Sequence, residues 1–263
     1  GKIKKDTKFM LNGQPLEIVN EYVYLGVMLS SSNKFLKALK HAQNKAAIAA
    51  SSARQLMVTA KLQPWEARNK IFEATVLSTL LYGCEVWGLR YLSELEKTQN
   101  NFYKSIFNWP ISTPGYIVRA ELGLNPVGAT ALERILKWKV RLDRADPSSL
   151  PSICYKRLQE LDSNGYGSEH HNWVTQLRLI TANVSSTITW PLTDPTESIV
   201  DKFKTRNRCT TAELILQSSY NPLFQYYLES EGTQSYLTSS TNFCWKKIAS
   251  QARVAGTHYV KFT

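Results

Sequence analysis

Two rows of basic side chains carry the clearest chemistry in this sequence. On a helix over 33–58, Lys34, Lys37, His41 and Lys45 fall together on the side opposite the apolar stripe. On a helix from Val127 to Arg144, Arg134, Lys137, Arg141 and Arg144 form a second, narrow stripe. Cations in a row can neutralise a line of phosphates, Lys as a point charge and Arg as a planar fork that grips two oxygens. Such contacts position a nucleic acid without reading its sequence. The competing reading is a solvated helix face, and Glu133 and Asp143 beside the second stripe neutralise part of its field.

Other chemistry has less support. His170 and His171 are adjacent, so on a helix they point about 100° apart and lack the i, i+4 geometry of a shared metal-ligand pair. Lys202, Lys204, Arg206 and Arg208 alternate by two and split between two helix faces. Glu85 has no partner carboxylate at a useful spacing, so it and Trp87 read as structural. Glycine-rich phosphate loops, G-x-S-x-G elbows and H-E-x-x-H are absent. No catalytic residue, metal ligand or cofactor site is expected in the chain.

Composition agrees with a polyanionic partner. The 263 residues hold 32 Lys and Arg against 21 Asp and Glu, a formal net charge of +11. The bias is stronger up to Trp109, with 15 basic and 8 acidic residues, than from Pro110 onward, with 17 and 13. No apolar run approaches a membrane span, and four widely separated cysteines favour a reducing, intracellular compartment.

The elements that must position these groups are mainly α-helical, behind a short N-terminal antiparallel β-meander. Asn12-Gly13 marks a hairpin, and Pro15–Val19 and Tyr22–Leu29 supply two further β-rich runs. Ser30–Asn33 offers helix caps ahead of an alanine-rich helix that buries Leu36, Leu39, Ala46, Ala50, Ala53 and Met57. Further helices are expected from Pro64 to Gly83, after Ser93 to Trp109, between Pro114 and Gly123, over 127–144, and at 148–161, 168–182, 196–217 and 241–255. The divisions expected are 1–30, 31–145 and 146–263, with 183–195 as a possible linker.

Several anchors follow in order: Leu11-Asn-Gly13, Glu21-Tyr-Val-Tyr-Leu-Gly-Val27, the alanine-rich helix, Leu80-Leu-Tyr-Gly-Cys-Glu-Val-Trp87, Glu96-Lys-Thr-Gln-Asn-Asn-Phe102, and Pro114-Gly-Tyr-Ile-Val-Arg-Ala-Glu-Leu-Gly123. Over about 20–145 this set resembles the region after the catalytic palm in non-LTR retrotransposon reverse transcriptases. The resemblance implies that Tyr24, Leu25 and Gly26 form a turn that acts as a primer grip and that the following helices form a thumb on RNA, DNA or an RNA–DNA hybrid. It also implies a nuclear place of action. Glycine lets another backbone approach closely, while a flanking aromatic can pack on a sugar or base. Without the resemblance, these residues read as a strand edge with a glycine bulge.

Two departures qualify the match. The family's polymerase chemistry needs palm aspartates that hold Mg²⁺, and no Asp-Asp pair occurs here. A Cys-Cys-His-Cys zinc knuckle cannot be built from four isolated cysteines. The expectation is therefore a template–primer clamp whose polymerase region lies N-terminal to it. The alternative is a domesticated helical scaffold that binds a protein through Tyr226, Tyr227 and Trp245.

Overall fold

The computed structural model describes residues 8–32, 34–188, 190–227 and 232–254. Gly1–Lys5, Asn33, Thr189 and the side chain of Tyr227 lie outside the described set. The described chain is mainly helical behind N-terminal antiparallel strands, which form two separate hairpins and not one three-stranded meander. β1 (Phe9–Leu11) pairs with β2 (Gln14–Leu16), and β3 (Glu21–Tyr24) with β4 (Val27–Ser30). In the second hairpin Tyr24 faces Val27, so Leu25 and Gly26 alone make the turn. Their φ values, 47° and 82°, are both positive, as a two-residue turn that follows the strand twist requires. The run Tyr22–Leu29 thus reverses at its middle and contains no bulge.

Helix α1 (Leu36–Thr59) packs on β4 and on the helix that follows it. Ala38, Leu39, Ala42, Ala46, Ala50, Ala53 and Met57 form its buried stripe, whereas Leu36, in the first turn, is 46% exposed. No side chain from Ser30–Ser32 caps this helix; Phe35 occupies the cap position with φ 54°. Small side chains let the opposing helix come close, so enlarging fully buried Ala46 to Leu should cost about 1–3 kcal/mol.

That opposing helix is interrupted. α2 (Trp65–Ile71) passes into a π-helical segment, Phe72–Leu77, before α3 (Ser78–Leu80). Thr75, Ser78 and Thr79 donate their hydroxyls to the carbonyls of Ile71, Ala74 and Thr75, four residues back in each case. Such back-bonding accompanies local distortion of a helix. Phe72 and Val76, both buried, point from this segment into the core.

After α4 (Cys84–Trp87) come α5 (Leu92–Phe107), α6 (Gly115–Leu122), α7 (Val127–Arg144), α8 (Leu150–Ser163), α9 (Trp173–Val184), α10 (Thr196–Leu216), α11 (Phe224–Tyr227), α12 (Ser235–Thr238) and α13 (Phe243–Val254). The main core runs through α1–α7 and also takes Ile215, Phe224, Leu237, Phe243 and Val254 from the C-terminal elements. Its aromatic centre sets Phe72 against Phe102 and Tyr103 at ring distances of 4.8 and 5.1 Å. A second cluster joins α7, α9 and α10, and Ile188, from the irregular stretch after α9, is buried in it. No helix of the described residues is long and apolar enough to cross a membrane.

Candidate nucleic-acid interface

The fold brings two of the sequence-defined groups into one groove. Gly26, Val27 and Met28 form one wall; Ala38, His41, Ala42 and Lys45 of α1 form another. Ser78, Thr79, Tyr82 and Trp87 close the third side, and the cavity measures about 460 Å³. The wall positions on α1 follow from helical spacing, since residues 38, 41, 42 and 45 lie on adjacent rows of one face.

The turn at Tyr82–Gly83 fixes the third side. Trp87 is buried and donates its Nε1–H to the Tyr82 carbonyl at 3.2 Å, which holds the Tyr82 backbone while the residue is 58% exposed. Tyr82 carries no sequence signal of its own beyond its place in the Leu80–Trp87 run. Its role becomes visible only because the β3–β4 turn reaches it. Tyr24 and Leu25 do not line the groove; their side chains project to solvent, 57% and 73% exposed.

The basic residues of α1 differ in availability. Lys45 is exposed at the groove, while Lys37 is held by Glu21 of β3 at 2.8 Å. Lys34 precedes the helix; its side chain is exposed and its carbonyl accepts the Tyr91 hydroxyl. His41 is half-buried, and its Nε2 has no hydrogen-bond partner among the described residues.

The α7 stripe is likewise divided. Arg134 is half-buried and donates to the Leu81 carbonyl at 3.1 Å, one residue before Tyr82. Lys137 pairs with Glu133 at 2.5 Å, while Asp143 pairs with the buried Lys139 at 2.8 Å. Arg141 and Arg144 project to solvent in the last turn, where the helix dipole favours cations.

Helix α7 is anchored at its other end by a carboxylate from α5. Glu96 accepts the Gly128 backbone N–H at 2.9 Å, capping the α7 N-terminus from a neighbouring helix. Burial pushes the Glu96 carboxyl above its ordinary pKa, against the pull of that backbone hydrogen bond and of Arg119. Burial similarly pushes the Cys84 thiol up to about 12, which keeps it a neutral core group.

Glu85 and Trp87 sit at a helix junction: the Glu85 carbonyl accepts the Trp173 indole N–H at 2.9 Å. The His170 and His171 rings lie 6.5 Å apart, centroid to centroid. Among the described residues, no group of three or more His, Cys, Asp or Glu side chains converges as a bound metal would need. Lys202 and Lys204 are committed to Asp194 and Asp201 at 2.8 and 3.2 Å. Comparison with protein-family models, with curated proteins and with solved structures returns no match.

Proposed function

We propose that this chain clamps nucleic acid, as the thumb-like C-terminal portion of a non-LTR-type reverse transcriptase whose catalytic aspartates lie outside these 263 residues. The observation that carries the reading is the meeting of Gly26 with His41 and Lys45 in one groove, from segments that are separate in sequence. Lys34, Lys45, Arg141 and Arg144 add exposed cations to which phosphates can bind without displacing a strong protein partner. Lys37 joins them once it leaves Glu21.

The N-terminal hairpins support a polymerase neighbour. Phe9, Met10, Leu11, Leu16, Tyr22, Val23 and Leu29 are all exposed, more apolar surface than two short hairpins would present without a partner. In this reading they pack against the rest of a palm, whose aspartates would hold Mg²⁺.

The test is the salt dependence of affinity for an RNA–DNA hybrid, read by fluorescence anisotropy. Neutralising about five phosphates gives a slope of log K on log salt of about −4 to −5. The second reading, a scaffold for a protein partner, is favoured by Trp245 and Ile248, which lie three residues apart on α13 and are 67% and 48% exposed. It predicts a much flatter salt response.

A further inference from the structure

The groove at Gly26 is the wrong shape and charge for a run of phosphates. Of its lining residues only Lys45 and His41 are basic and none is acidic; the remainder supply mainly aliphatic groups, three hydroxyls and two aromatic rings. Its volume of about 460 Å³ is that of a small-molecule site, with room for a base and its sugar. Extended phosphate contacts therefore belong to the open faces of α1 and α7, and the groove needs a different occupant.

Building on the nucleic-acid reading above, we infer that the groove takes a single unpaired nucleoside unit, with its base on the Tyr82 ring and its phosphate at Lys45. Tyr82 is suited to this because it is largely exposed while its backbone is held. The Trp87 indole holds its carbonyl, and Cε1 of the ring lies 3.0 Å from where a Cβ on Gly26 would stand. An exposed aromatic face binds any base, since every base has a π-face. Ser78 and Thr79 donate their hydroxyl hydrogens to helix carbonyls, which leaves oxygen lone pairs able to accept from a base N–H. The unpartnered His41 nitrogen adds a polar group in the groove wall. With no fixed donor–acceptor pattern beyond these, the site would favour unpaired over paired nucleotides without selecting a base.

The experiment uses the full chain and two fluorescent RNA–DNA hybrids, one blunt and one with a one-nucleotide overhang at either end. The overhang hybrid should bind about tenfold more tightly, the effect of stacking one base. Tyr82→Leu should bring that ratio to about one, and Tyr82→Phe should keep it. A 2-aminopurine overhang reports the same event directly, its fluorescence quenching on binding to wild type and not to Y82L. Equal affinity for both hybrids, or a preference that survives Y82L, overturns the inference and leaves the nucleic-acid reading standing. If neither hybrid binds, both fall together.

Discussion

The Tyr82 ring closes on the bare backbone of Gly26: its Cε1 lies 3.0 Å from the point where a Cβ would stand. This approach depends on glycine twice over, once for space and once for φ, which is 82°. Gly26→Ala should cost about 1–2 kcal/mol through left-handed strain and push the ring outward. In a chain of this size that is a fall in Tm of several degrees, readable by calorimetry. An unchanged Tm would mean that the turn relaxes freely and does not hold the groove's shape.

The lysines of α1 should not contribute equally to binding. Lys37 is already compensated by Glu21 at 2.8 Å, so phosphate must compete with a carboxylate there. Lys45→Ala should weaken binding to all sequences alike and reduce the salt slope by about one unit; Lys37→Ala should do less. Glu21→Gln should strengthen binding by about two- to threefold and steepen the slope, because it frees Lys37. Titrations of the three variants at several salt concentrations decide this, and a weaker-binding E21Q would show that the pair positions β3.

On α7 the same logic separates binding from stability. Arg141→Glu with Arg144→Glu should lower affinity and leave melting nearly unchanged, since both side chains project to solvent. Arg134→Ala removes the hydrogen bond to the Leu81 carbonyl and should destabilise the fold by about 1–2 kcal/mol. Anisotropy and thermal melts on the same preparations would expose any reversal of these roles.

What the sequence revealed, and what it hid, follows from which signals are local. Asn12-Gly13 announces its own turn because both residues tolerate positive φ; Leu25-Gly26 makes the same kind of turn with a leucine first, so its residues alone read as strand and only the family resemblance implies a turn there. The alanine stripe of α1 follows from its period, but Leu36 is exposed because it lies in the first turn, ahead of the packed rows. The π-helical segment left no trace in the apolar spacing. The two basic rows were legible as rows, and Glu133 as a neutraliser of the second; that Glu21 and the Leu81 carbonyl would each claim a member was not, because both come from other elements. Tyr82 was hidden for the same reason, its partner Gly26 being 56 residues earlier.

The pH dependence of stability should carry the mark of Glu96. Burial raises its folded pKa above the unfolded value near 4.5, so the folded state binds more protons in the window between the two. Its contribution to stability is therefore full below about 4.5 and declines as pH rises to the folded value. Glu96→Gln, which keeps an oxygen acceptor for the Gly128 N–H, should remove that decline. Denaturant melts from pH 4 to 7 should show the variant gaining on wild type as pH rises. Parallel curves would mean that the carboxylate is as well solvated folded as unfolded.

The C-terminal helices are held to the main core by a buried ion pair and by a close backbone contact at Gly123, and disrupting that contact tests whether the chain folds as one unit. Glu121 Oε1 accepts both Arg253 Nε–H and the Tyr236 hydroxyl at 2.7 Å, which ties α12 and α13 to α6. Two residues on, Gly123 has φ 63°, and a Cβ there would stand 2.3 Å from the Thr233 backbone nitrogen. Backbone cannot yield as a side-chain tip does, so Gly123→Ala should cost about 3 kcal/mol or more. Phe243 on α13 lies 5.3 Å from Phe107, ring to ring, and Arg68 stacks 3.6 Å over it, so the strain is felt by the main core. The variant should therefore melt in one cooperative transition at lower temperature. Two separated transitions would instead show that α12 and α13 unfold apart from the helices that carry the groove.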